Sequence, residues 1–188
     1  FNPFGRDFAE LNYKIGRMYF NYYTNDDGTS SFATRVQKAY SFFKANHENA
    51  PSDFAEKELS DCYYEICTFY RTYILSSANV EEASNDSYQK LFASIQKTLE
   101  SVKKASAYDK LTLYHGVLML LYDQRINLAS VHVDESTVQN LLKTVEQGAR
   151  SCSVQKVQSK KLQSDIINHY EEYAAAIERA YHNTEERK

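Results

Sequence analysis

Apolar residues recur at helical spacing along almost the whole chain. Phe8, Leu11, Ile15, Met18, Tyr19 and Tyr22 lie three or four positions apart and predict a first helix ending near Tyr23. Asp7-Phe8-Ala9-Glu10 reads as a capping box at its start. The polar run Thr24 to Ser30 is a loop by composition, and Phe32, Val36, Ala39, Tyr40 and Phe43 mark a second helix that stops before Pro51. Ser52 is placed to cap a third helix, whose apolar face is Phe54, Leu59, Cys62, Tyr63, Ile66, Phe69, Tyr70, Tyr73 and Ile74. A polar connection from Ser76 to Asp86 leads to a fourth helix with Tyr88, Leu91, Phe92, Ile95, Leu99 and Val102.

The second half continues the pattern. A fifth helix from about Tyr108 to Arg125 is apolar nearly all round, so it belongs at the centre with neighbours on several sides. Asn127 to Val133 reads as a loop with some β-branched character. Asp134 caps a sixth helix carrying Val138, Leu141, Leu142, Val145 and Ala149. A seventh, from about Val154 to Tyr181, has the narrow stripe Leu162, Ile166, Tyr170, Tyr173, Ile177 and Ala180, with Lys160, Lys161, Glu171, Glu172 and Glu178 opposite. One wet face on a long helix suits the end of a helical stack.

About seven helices and no strand pattern predict an all-α α-solenoid or bundle, and an internal repeat favours the solenoid. Asn12-x-x-Ile15-Gly16-x-x-Tyr19 recurs as Tyr63-x-x-Ile66-Cys67-x-x-Tyr70, each with a small residue that lets a partner helix approach. The second helix reads Ala39-x-x-x-Phe43-x-x-Asn46, followed by Pro51. This spacing resembles the tetratricopeptide repeat. Ile15, Gly16, Tyr19, Ala39, Phe43 and Pro51 fit it, while Asn12 stands for the usual large aromatic and Asn46 for the third alanine. The connecting loop is longer than the repeat allows. The expectation is one domain over 1–188: a degenerate tetratricopeptide-like α-solenoid of three antiparallel pairs, about 7–46, 52–103 and 107–151. A capping helix over about 154–182 completes it.

Composition narrows the function classes. Net charge is −3 and the isoelectric point near 6.0, so the basic field that nucleic-acid binding needs is missing. Sixteen tyrosines and no tryptophan suit tight helix seams and recognition surfaces alike. Cys62, Cys67 and Cys152 close no even framework. Cys62 and Cys67 would sit about 140° apart on a helix, so buried free thiols are expected. No signal peptide or membrane span is visible. The chain starts at Phe1 without an initiator methionine, which reads as an excised or processed product with a possible upstream anchor.

Candidate chemistry is sparse. His47, His115, His132, His169 and His182 never fall three or four residues apart, so no metal or other cofactor is expected. Asn25-Asp26-Asp27-Gly28 has the composition of a calcium loop, but its first ligand would be Tyr23 and its closing acid Thr34, so a turn fits better. The pairs Glu81-Glu82, Glu171-Glu172 and Glu185-Glu186 diverge by about 100° and read as wet helix faces. Gly-rich phosphate loops and Gly-x-Ser-x-Gly are absent from the sequence. What remains is the surface lined by the first helix of each pair. Tyr13, Arg17, Phe20 and Asn21 on the first helix, with Tyr64, Thr68 and Arg71 on the third, are the candidate residues for binding a protein or peptide. They offer rigid rings and a bidentate donor for carboxylates.

The run Leu11 to Tyr23, with Ile15-Gly16-Arg17-Met18-Tyr19, and then Arg35, Lys38 and Phe42-Phe43, is similar to the C-terminal, non-catalytic helical region of certain bacterial serine/threonine protein kinases. In those chains a kinase domain and a membrane span precede a tetratricopeptide-like domain. The kinase motifs themselves do not occur in this sequence. The resemblance implies a non-enzymatic interaction or sensor module, the extracytoplasmic part of a membrane-anchored protein. A stand-alone cytoplasmic adaptor is the alternative.

Overall fold

The computed structural model describes residues 5–22, 27–74 and 83–186. The fold is all-α and repeat-like, with helices packed on their neighbours and no strand among the described residues. The α-helices are α1 (Arg6–Asn21), α2 (Phe32–Asn49), α3 (Lys57–Phe69), α4 (Asn85–Ser101), α5 (Ala107–Asp123), α6 (Arg125–Ser130), α7 (Glu135–Ser151) and α8 (Val157–Glu186). A five-residue π-helical turn, Tyr70–Ile74, continues α3. The chain divides into two compact units, Phe1–Ala83 with Gln89–Lys104, and Ser84–Tyr88 with Ala105–Lys188.

In the first unit α2 packs on both α1 and α3. Gly16 makes the α1–α2 approach possible. A methyl group there would sit 2.7 Å from a ring carbon of Phe43. Phe43 in turn stacks on Tyr63 of α3, with centroids 5.1 Å apart. Asn46, buried, donates from Nδ2 to the Ala9 carbonyl at 2.8 Å and ties α2 to the first turn of α1. Arg35 donates to the Phe20 and Asn21 carbonyls at 3.2 and 3.3 Å, covering the open C-terminal end of α1. Tyr19 stacks on Phe42, and the Lys38 ammonium lies over Tyr19. The residues that carry the sequence resemblance therefore build this seam.

The starts and ends correct several expectations. The first helix is capped at Gly5 without a side-chain bond, because Glu10 turns to Lys14 rather than back to Asp7. The third helix begins at Lys57, not Ser52, since tight turns close first between Pro51 and Phe54 and between Phe54 and Lys57. Part of the expected loop Asn127–Val133 is helical. Leu128 and Ala129 bury one side of α6. Gly28 takes φ 77° in an Asp27-Gly28-Thr29 turn, where Asp27 accepts from the Thr29 amide and hydroxyl. The readings that fall on 23–26 and 75–82, including Glu81-Glu82, lie outside the described residues.

In the second unit α5, α7 and α8 pack on one another and α6 on α8. Gly148 repeats the device of Gly16. A methyl group there would lie 2.9 Å from the Tyr114 ring across the α5–α7 seam. Gln139 donates to the Ala174 carbonyl and links α7 to α8. Gln163 donates to the Ala149 and Cys152 carbonyls, completing the end of α7. Ser106 and Asp134 cap α5 and α7 through the Asp109 and Thr137 amides.

Candidate functional site

The seven sequence-derived candidates do not line one surface. Tyr13 and Phe20 are core residues, at 0% and 8% exposure, not groove residues. The face of α1 that turns inward is Ala9, Asn12, Tyr13, Gly16 and Phe20. Gly16 decides this register, because only its side of the helix lets α2 come close. Half of the periodic stripe expected to be core faces out, while Phe8, Ile15 and Tyr19 are half-buried. Leu11 is 53%, Met18 42% and Tyr22 52% exposed.

Arg17 and Asn21 border the buried rings. The Arg17 guanidinium lies 5.4 Å from the Tyr13 ring centroid. Burial pushes the Tyr13 and Tyr63 phenols up, and the nearby Arg17 charge offsets part of that. Asn21 stands beside the Tyr63 hydroxyl, outside hydrogen-bonding geometry. This set is an aromatic core with a polar margin.

Tyr64, Thr68 and Arg71 belong to a second set, on the α2–α3 face. The Arg71 guanidinium lies 3.9 Å from the Tyr40 ring centroid. Tyr40 stacks on Tyr64 at 5.4 Å, and Tyr64 stacks on the His47 ring at 4.4 Å and 17°. The order Arg71, Tyr40, Tyr64, His47 alternates between two neighbouring helices. Each helix contributes residues seven apart, two turns along one side. The π-helical turn Tyr70–Ile74 carries Arg71 at the end of this column, a backbone form frequent at functional sites. Tyr40, Tyr64 and Arg71 are half-buried and His47 is exposed.

The His47 end of the column is held by polar contacts. His47 Nδ1 lies 3.1 Å from an Asp61 oxygen, and Lys57 donates to both Asp61 oxygens at 2.9 and 3.1 Å. The Tyr40 hydroxyl raises the Tyr64 phenol above its ordinary value, with partial burial adding to it and Thr68 opposing. An open crevice of about 400 Å³ adjoins His47 and Asp61, walled by Glu65 of α3 and Ser94 and Thr98 of α4.

A guanidinium stacked on a ring has its fork pre-oriented for a carboxylate, and the rings supply rigid contact area. The thiols are poor nucleophiles where they stand. Cys62 is fully buried and pushed up to about 12 by desolvation, and burial raises Cys67 and Cys152 as well. Among the described residues no group of three or more His, Cys, Asp or Glu side chains could hold a metal ion, and no helix is long and apolar enough to cross a membrane.

Sequence reasoning missed Tyr40 and His47. Their signal was the seven-residue spacing shared by Tyr40–His47 and Tyr64–Arg71 on consecutive helices. Set against protein-family models, curated proteins and solved structures, the chain matches none.

Proposed function

We propose that the chain is a non-enzymatic interaction module that takes a carboxylate-bearing segment of a partner protein on the α2–α3 face. The observation that carries this reading is the half-exposed column Arg71–Tyr40–Tyr64–His47. Its side chains are ordered by one another before any ligand arrives, so binding costs little side-chain entropy. Aromatic residues and arginine held in this way are the types that dominate interaction energetics. Asp61 and Glu65 lie toward the His47 end, so an incoming carboxylate is directed to the Arg71 guanidinium.

The sequence likeness of Ile15 to Tyr19 and Arg35 to Phe43 supports placing this module as the C-terminal sensor region of a membrane-anchored bacterial serine/threonine kinase, outside the membrane. Those residues serve the α1–α2 seam, so the likeness speaks to the unit's folding. The kinase attachment stands on sequence alone. Reading the gene upstream tests that part. A kinase domain followed by an apolar span supports it, and an open reading frame without them removes it in favour of a stand-alone adaptor. Binding is tested by titrating the peptides Glu-Glu-Phe-Glu-Glu and Lys-Lys-Phe-Lys-Lys into the protein and following tyrosine fluorescence. Saturable binding of the acidic peptide alone supports the reading, and equal or absent responses contradict it.

A further inference from the structure

The second unit contains a run of the same four residue types, though its histidine ring is tilted at 39° to the neighbouring tyrosine on the same helix rather than stacked from another. The Arg125 guanidinium lies 4.2 Å from the Tyr122 ring centroid, Tyr122 stacks on Tyr173 at 4.2 Å and 18°, and the His169 ring lies 5.4 Å from Tyr173. The order Arg, Tyr, Tyr, His is that of Arg71, Tyr40, Tyr64 and His47 in the first unit. Different elements supply it. Tyr122 comes from the end of α5, Arg125 from the start of α6, and Tyr173 and His169 from one side of α8. One sequence segment therefore does not echo the other, and the likeness lies in the assembled side chains.

The second column is pinned by polar contacts at both ends. Arg125 donates to the Tyr122 carbonyl at 2.8 Å, which fixes the guanidinium over the ring. His169 Nδ1 bonds the Asp165 carbonyl at 2.7 Å, and the Tyr173 hydroxyl reaches the Met119 sulfur at 3.4 Å. Tyr122, Arg125 and His169 are half-buried, while Tyr173 is nearly covered. Ile126, next to Arg125, is 62% exposed and offers an apolar contact beside the guanidinium. Two carboxylates act on the column: Glu172 and Asp123 both bear on Tyr173, and Asp123 has a proton affinity that burial raises and Arg125 partly lowers. An incoming carboxylate meets Asp123 as a local competitor.

We propose that Arg125, Tyr122, Tyr173 and His169 form a second recognition site, so that one chain takes two carboxylate-bearing peptide segments, one per unit. The proposal rests on the reading of the Arg71 column as a recognition site. It adds to that reading a stoichiometry and a second address. A partner with two acidic segments, or two copies of one partner, would gain avidity from it.

The test is a titration of the labelled full chain with Glu-Glu-Phe-Glu-Glu, followed by amide chemical shifts. Two groups of shifts are expected, one around Tyr64 and Arg71 and one around Tyr122 and Tyr173. Arg71→Ala should abolish the first group and leave the second, and Arg125→Ala the reverse. Arg71→Lys and Arg125→Lys keep the charge and lose the planar stack. Each should weaken its own group about tenfold, and circular dichroism confirms that all four variants are folded. Shifts confined to the Tyr64–Arg71 group overturn the second site and leave the first standing. Shifts confined to the Tyr122–Tyr173 group remove the first site and the two-site stoichiometry with it. Shifts in neither group overturn both.

Discussion

Gly16 sits directly under the edge of Phe43, where a Cβ would come within 2.7 Å of the ring. Phe43 is fully buried and backed by Tyr63 at 5.1 Å, so it has nowhere to retreat. Gly16→Ala gains about 1 kcal/mol of helix propensity and incurs overpacking of about 1–3 kcal/mol. The strain is expected to win, lowering stability by about 1 kcal/mol and the melting temperature by roughly 2–4 °C. Urea or thermal unfolding measures it. A stabilised variant would show that the seam is looser than described.

The two faces of α1 give a second test. Tyr13→Ala and Phe20→Ala remove buried rings and are expected to cost about 3–5 kcal/mol each. Leu11→Ala, at an exposed position, should stay within about 0.5 kcal/mol. Denaturant midpoints compare them directly. The reverse ranking would restore the face chosen from periodicity.

That contrast shows where sequence legibility ended. Phe8, Leu11, Ile15, Met18 and Tyr22 form a regular apolar stripe, yet α1 carries a second one through Ala9, Tyr13, Gly16 and Phe20. Periodicity cannot choose between two apolar faces. The glycine could, because a close helix approach must occur on its side. The expected seam of Gly16, Ala39 and Phe43 is what the structure contains, while Tyr13 and Phe20 were assigned outward by default. The helices themselves were legible from spacing and, for α7, from the Asp134 cap, while Asp7 and Ser52 do not cap. The π-helical turn and α6 were not, since neither has a composition of its own and both depend on what they pack against.

Asn46 stands where the tetratricopeptide pattern has alanine, and its bond to the Ala9 carbonyl explains the departure. Asn46→Ala should destabilise the first unit by about 1–2 kcal/mol, despite matching the repeat better. Thermal unfolding of the two proteins at matched pH decides it. No loss would mean that the buried amide contributes nothing net.

Burial holds His115 below its ordinary value of 6.5, with Asp165 opposing and His169 adding to the shift. The unfolded chain binds its proton near pH 6.5 and the folded chain only at lower pH. In that window the unfolded state holds more protons, so stability falls as pH drops. His115→Gln should flatten this limb. Unfolding free energies at pH 7.5 and about pH 5.5 measure it, and an unchanged pH dependence would assign the limb to other groups.

The recognition column is the centre of the account, and Arg71→Lys tests it most directly. Lysine keeps the charge but cannot stack on Tyr40 as a plane or present a fork to a carboxylate. The dissociation constant for Glu-Glu-Phe-Glu-Glu at the first unit should rise about tenfold, with the melting temperature within roughly 2 °C of the parent. An unchanged affinity in a folded variant would contradict the assignment of the Arg71–Tyr40–Tyr64–His47 face as the site.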